Sequence, residues 1–357
     1  MVYQLAAEAA VDQDLASLSD HLIIAMIVAY AVALFLFALE AAYGRRTALK
    51  NNRLVPLAAG APGAAAPAPA AVGGSSTVDL DADPPSGASG GDDLEVSVRD
   101  SEPRASASRS VLGTVALVVS VAGFLLNLGQ IATRGLAADR WPWGNMFEFV
   151  VAICLCAVAA FLYAAFRYQA RYLGTFVLLP VVLLLGIAAR WLYSEAGPLV
   201  PALHSYWIAI HVSAAIVATG AFMVSGAAAI TYLVAHRTEV KRAAGERVAG
   251  IAAKLPSPEL LDRVSHRFVV IAFPLWTFAI IAGAVWADEA WGRFWGWDPK
   301  EVWSFITWVV YAAYLHSRAT AGWKGTRSAW IGVIGFACLM FNFFGVNYMF
   351  SGLHSYA

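Results

Sequence analysis

The sequence predicts an all-α, polytopic integral membrane protein of about eight transmembrane helices, with the N-terminus and the C-terminus both outside. Three observations carry this. Of 357 residues 60% are hydrophobic and 13% are charged, about half the charge that covers a typical water-soluble domain. The apolar residues fall into eight blocks of about 17–25 residues, the length of helix that crosses a bilayer core. The basic residues lie mostly on alternate sides of those blocks. Acidic and basic residues number 24 each, so no global field argues for nucleic acid or an acidic partner.

The first span is 21–42. It does not read as a signal peptide: Glu8, Asp12, Asp14 and Asp20 precede it, while Arg45 and Arg46 follow it. Residues 43–109 read as a disordered cytoplasmic linker, because runs such as Gly60 to Ala71 and Pro84 to Asp93 bury too little apolar surface to offset the entropy of ordering. Seven more spans follow, at 110–132, 145–166, 173–192, 206–235, 267–287, 301–317 and 329–350; the one at 206–235 is long enough to tilt or protrude. The chain thus divides into an N-terminal segment with the first helix (1–42), the linker (43–109) and a seven-helix domain (110–357). In lipid each span must satisfy its own backbone, and an apolar block of this length does so as a helix.

Orientation follows from the basic residues. With the N-terminus outside, the inner segments 43–109, 167–172, 236–267 and 318–328 hold 19 of them, and the outer side keeps five: Arg134, Arg140, Arg190, Arg293 and Lys300. Cys154, Cys156 and Cys338 all lie in apolar blocks, which argues against a disulfide framework or a structural zinc site.

Seven histidines sort by this topology. His21, His204, His236 and His266 fall at span ends or in loops, where a solvated or interfacial imidazole is the plain reading. His211 sits five residues into its span, His354 in the outer tail just after the last span, and His316 near the inner end of the seventh. Between His211 and His316 lies an unusual stretch: Trp286, Trp291, Trp295, Trp297, Trp303 and Trp308 put six of thirteen tryptophans into 23 residues. An aromatic belt at the headgroup level accounts for one or two of them per span end. It does not account for Trp291-Gly-Arg-Phe-Trp-Gly-Trp-Asp-Pro-Lys-Glu301, where glycines let a loop bend between indoles and Asp298-Pro299 starts a helix. Indole faces make a broad apolar wall, better matched to a flat macrocycle than to an ion or a sugar.

These elements, in this order, resemble the CcsA/ResC proteins, the tryptophan-rich (WWD) haem-handling subunits of system II cytochrome c biogenesis. The resemblance rests on His211 in Trp-Ile-Ala-Ile-His-Val, the segment Trp291 to Glu301, His316 in Tyr-Ala-Ala-Tyr-Leu-His, the ending Gly352-Leu-His-Ser-Tyr-Ala, and Trp143-Gly-Asn-Met-Phe-Glu148. It covers about 110–357, and the first span and linker are similar to the N-terminal extension of actinobacterial members, often called CcsB. The resemblance implies that His211 and His354 are axial ligands of one haem b on the outer face, bordered by Trp291, Trp295, Trp297 and Asp298. It implies that His316 ligates a second haem within the membrane, together with a histidine of a ResB-type partner. The implied reaction is addition of the thiols of an apocytochrome c C-x-x-C-H segment to the haem vinyl groups, at the extracytoplasmic face of the plasma membrane. Thiol-reducing thioredoxin-like proteins are further partners of such a reaction. The chain has no C-x-x-C-H of its own, and no catalytic side chain is singled out. For Asp298, a helix cap is the simpler role beside acid/base work; Arg293 and Lys300 are candidates either for haem propionates or for lipid headgroups. Two other readings remain: a transporter or binding protein for haem or a hydrophobic substrate with no ligation role, and a respiratory oxidase subunit, which would need more histidines inside its spans.

Overall fold

The computed structural model describes residues 11–52, 111–198, 203, 205–248, 250, 252, 255–320 and 322–354. Most of the expected linker, residues 53–110, lies outside this set, as does His204. The described residues are all-helical, with eight long helices. They are α1 (Gln13–Asn52), α2 (Val111–Ala137), α3 (Met146–Arg167), α4 (Gly174–Ile187), α5 (Tyr206–Ala243), α6 (Pro258–Trp291), α7 (Pro299–Thr320) and α8 (Thr326–Met340). α4 runs on through a π-helical turn, Ala188–Leu192, and α8 runs on through a second one, Phe341–Gly345, into Val346–Met349.

Seven of the eight are long and apolar enough to cross a membrane. The eighth, α7, has the length, 22 residues, but carries Lys300, Glu301, His316 and Arg318. It still leads from one end of the bundle to the other, since Asp298 at its start meets the tail residue His354 and Arg318 near its end meets Asp262 at the start of α6. The helices outrun the expected spans where polar turns continue the hydrogen-bond ladder beyond the apolar block, most of all α1 and α6.

The first helix does not stand apart from the domain that follows. Ile23, Met26, Tyr30, Ala33 and Phe37 recur at helical spacing and are all buried in the common core. The loops sort by end as the alternation of spans requires. Asp12 N–H donates to Ala137 O, Arg140 Nε to Gly197 O, and Ser205 Oγ to Glu289, all at the end that holds the Trp-rich loop. At the opposite end Arg267 lies over the Tyr168 ring and Arg318 pairs with Asp262.

α5 is the central helix. It packs on α3, α6 and α8, burying a run from Ala218 to Ala229, and Phe222 stacks on Tyr311 of α7 with 3.9 Å between ring centroids. Helix starts follow their caps: Asn145 Oδ1 accepts Glu148 N–H at α3, Ser205 Oγ accepts Trp207 N–H at α5, and Pro258 opens α6. α6 stops at Gly292, whose φ of +69° is open to glycine at little cost.

Candidate functional site

At the Trp-loop end a cavity opens between α3, α5, α6, α7 and the end of α8. Its empty space, with the open mouth included, is about 1150 Å³. Most of its lining is apolar: Phe149, Ile208, Val212, Trp276, Ile280 and Phe343 form much of the wall. His211 and His354 both line it, although 143 residues of sequence separate them.

Each histidine is held by its Nδ1. His211 Nδ1 lies 2.8 Å from Ala279 O on the neighbouring α6. A carbonyl only accepts, so Nδ1 carries the proton and Nε2 keeps its lone pair. The ring stacks parallel to Trp286, centroids 6.1 Å apart and 7° between planes. Opposite it on α6 is Gly283, where a Cβ would stand 2.6 Å from His211 Cε1, so the ring's place depends on glycine there.

His354 is held by a carboxylate. Its Nδ1 is 2.9 Å from Asp298 Oδ1, and the N–H of Leu353 donates to Asp298 Oδ2 at 2.7 Å. Burial pushes the Asp298 carboxyl up, but the hydrogen bond and charge of His354, with the N–H groups of Leu353 and Lys300, bring it net below the ordinary carboxylate value. Asp298 therefore stays ionised near neutrality, and Nδ1–H of His354 donates to it, leaving Nε2 as the basic nitrogen. Gly352 permits this docking, since a Cβ there would collide with the carboxylate.

Asp298 also caps α7. Its Oδ1 accepts Lys300 N–H at 3.1 Å, and Glu301 reaches back to accept Asp298 N–H at 3.0 Å, a reciprocal capping box. Glu301 further accepts Gly296 N–H and pairs with Arg293, so one carboxylate ties down the Trp-rich loop. The sequence expectation of a cap at Asp298 thus describes one of two roles; the tail contact is the other. Arg293, paired with Glu301 and lying 5.6 Å from the Trp291 ring, does not line the cavity.

The other expected residues distribute as follows. Trp295 lines the cavity. Trp291 sits behind it, edge-on to His354 at 4.9 Å and to Trp286 at 4.7 Å. Trp297 points away: it is 73% exposed, with a left-handed φ of +59° that a non-glycine residue adopts only when its surroundings impose it. His316 is far from this group, exposed on α7 near its other end, two residues before Arg318. Of the bland histidines, His236 stacks on Tyr232 of its own helix and His266 packs beside Tyr314.

Sequence reasoning missed several parts of the site. Trp286 lay in the Trp-rich stretch but was given no role, yet it is 1% exposed and touches both cavity histidines. The segment Trp143 to Met146 lines the cavity too, and Glu148 explains how it is held. Buried Glu148 accepts from Arg134 Nε at 2.9 Å, from Arg140 Nη1 at 2.8 Å and from Gly144 N–H at 2.7 Å. Asn145 caps the same helix. Beside Lys300, Glu301, Ser304 and Asn342 add polar groups to the lining, the last placed by the π-helical turn Phe341–Gly345, which no local sequence signal marked.

The fold and site define a multi-pass helical membrane protein in which two pre-oriented imidazoles share one tryptophan-walled cavity. The chain belongs to the cytochrome C assembly protein family, whose family model matches residues 143–354, from the cavity tryptophan Trp143 to His354. It is 35% identical over 294 residues to the cytochrome c biogenesis protein CcsA of Gloeobacter violaceus, with 69% of this chain and 86% of that protein covered. It is 33% identical over 272 residues to the CcsA protein of Trieres chinensis (69% and 87% covered) and 33% identical over 266 residues to that of Mesostigma viride (69% and 86%). Membership gives the chain a role in cytochrome c maturation and implicates haem in that role.

Proposed function

We propose that this chain holds haem between His211 and His354 and presents it for thioether attachment to apocytochrome c, as a subunit of a system II cytochrome c synthase in the plasma membrane. The observation that supports this best is that both imidazoles line one cavity with Nδ1 tied to a fixed acceptor. That leaves two Nε2 lone pairs as the iron-seeking atoms. The donor set fits haem iron, and the apolar, indole-rich wall fits the macrocycle.

In this reading haem is the substrate. Each thiol of the C-x-x-C-H segment adds across a vinyl group: sulfur bonds to the carbon next to the ring and the hydrogen passes to the terminal carbon, so no oxidant is consumed. The chain's own contribution is positional. Asp298 fixes the tautomer and direction of His354, Ala279 does so for His211, and the Glu148 and Glu301 clusters hold the two loops that border the cavity. Exposed Trp297 and Phe294 offer apolar surface at the mouth where an apocytochrome would dock.

His316, exposed on α7, has the position of a ligand completed from another chain; we assign it to a second, intramembrane haem shared with a ResB-type subunit, with thioredoxin-like proteins keeping the apocytochrome thiols reduced. The 19-to-5 basic bias supports an extracytoplasmic cavity. The test is maturation of a reporter cytochrome c in cells that depend on this chain and its partner. His211→Gly and His354→Gly should abolish it, with free imidazole restoring part of it. A transporter without a ligation role would move haem without either histidine, and normal maturation by both variants would favour that reading.

A further inference from the structure

Most of the wall of the cavity that the proposed function assigns to haem is apolar; besides the two histidines, its polar lining groups include Lys300, Glu301, Ser304 and Asn342. Lys300 and Asn342 meet where the start of α7 faces the π-helical turn at the end of α8, and Trp143, just before α3, lines the same cavity. Two buried side-chain atoms here lack partners within the chain, and one cation lacks a directly paired anion. Asn342 is 4% exposed, yet its side-chain oxygen has no hydrogen-bond partner. Trp143 Nε1 is buried and has none either, although an indole N–H only donates. Lys300 Nζ is held by Asn342 O at 2.8 Å, Phe343 O at 3.4 Å and Asn347 Oδ1 at 2.6 Å, all uncharged; among the described residues no carboxylate pairs with it directly, and Asp298 acts on its charge only from a distance. Buried donors normally find acceptors, and a buried ammonium normally finds an anion.

Resting on the haem reading, we propose that Lys300, Asn342 and Trp143 form a carboxylate-binding corner that takes the propionates of haem and thereby fixes which edge of the macrocycle faces the mouth. The chemistry fits each vacancy. A carboxylate accepts from the indole N–H and from the amide of Asn342, whose oxygen and nitrogen exchange by a simple flip, and it supplies the counter-charge for Lys300. The two histidines alone cannot do this, because axial ligands define the plane of the ring but not its rotation within that plane. With propionates drawn into the corner, the vinyl groups lie on the remaining edges, toward Phe294 and Trp295 at the cavity's loop side.

The test compares haem with its dimethyl ester, which keeps iron and vinyl groups but has no carboxylate. Purified full-length protein in detergent is titrated with each. The wild type should bind haem more tightly than the ester by on the order of tenfold or more, the scale of one or two charge-assisted hydrogen bonds. Asn342→Asp should lose that preference: it is nearly isosteric, but its carboxylate repels a propionate. A helical circular-dichroism spectrum and a cooperative melt in detergent show that the variant is folded. Trp143→Phe, which keeps an aromatic ring and removes the N–H, should lose part of the preference. Equal wild-type affinity for haem and ester would overturn the corner while leaving the histidine site standing, as would a preference that survives in Asn342→Asp. Binding of neither porphyrin by the wild type would instead overturn the haem reading and the corner with it.

Discussion

The two ends of the helical bundle treat their polar groups differently. At the Trp-loop end, buried charges are tied to one another and to the cavity. Glu148 holds Arg134, Arg140 and Gly144; Glu301 holds Arg293, Gly296 and Asp298; Asp298 holds Leu353 and His354. At the opposite end, among the described residues, the bidentate pair Arg318–Asp262 is joined by Ser328, the Lys241–Glu246 pair is exposed, and His316 two residues from Arg318 stands exposed on α7. The lesson concerns what each end can do alone. On the proposed function, two histidines oriented by buried partners would make a site this chain completes by itself, and one histidine on an open helix face would make half a site.

The largest effect that sharpens this contrast comes from the ligands. His354→Gly should reduce cytochrome c maturation to background, and millimolar imidazole should restore a measurable fraction by filling the vacated axial position, whereas His236→Ala should be silent. His316→Ala should deplete a different pool: haem that co-purifies only with the partner subunit, leaving the spectrum of haem added to the isolated chain unchanged. Equal loss of both pools would remove the distinction between the two ends.

Next comes the carboxylate behind the ligand. Asp298→Asn preserves shape and one acceptor but removes the charge that orients His354. Haem affinity should fall by roughly 10- to 100-fold, the usual cost of losing a partner behind a metal-binding histidine. Because its folded pKa is depressed, the Asp298 clamp is fully formed above the ordinary carboxylate range and is lost only as pH falls through that depressed value. The low-spin spectrum should therefore be unchanged from about pH 8 to about pH 5 and fade only in stronger acid. A midpoint near pH 6 to 7 in the absorbance titration would mean that something other than Asp298 fixes His354.

A smaller effect on haem, with a larger one on stability, is expected from Glu148→Gln. It leaves Arg134, 2% exposed, beside an uncharged amide, at a cost of about 3 kcal/mol or more. Thermal melts in detergent should show the loss, while protein that remains folded still binds haem. Wild-type stability would mean that Asp20, 3.9 Å from Arg134, already suffices as its counter-ion.

Much of this was legible in the sequence, for definite reasons. Long apolar blocks give helices in any membrane fold, so all eight elements were found, with ends displaced outward where polar turns such as His236 to Ala243 extend the ladder. His211 and His354 stood out because topology put both at one side, and Asp298-Pro299-Lys300-Glu301 announced its helix start by composition. What was hidden is long-range geometry. Nothing local tells that Asp298 turns its carboxylate to a tail 56 residues away, or that Trp297 points out while Trp286 points in. The π-helical turn that brings Asn342 to the cavity has no sequence signature. Glu148 was visible only as part of an outer-loop motif; its role as the acceptor of two arginines needs the bundle assembled.

The central claim is that His211 and His354 are the two axial ligands of one haem. The most direct measurement is the visible absorption spectrum of the reduced, purified chain carrying His316→Ala, loaded with haem, alone and with His354→Gly added. The single variant should show the sharp, split bands of low-spin bis-imidazole haem. The double variant should turn high-spin and return to the low-spin form when imidazole is added. A double variant that stays low-spin without imidazole would contradict the claim, because the second nitrogen on the iron would then come from a residue other than His354.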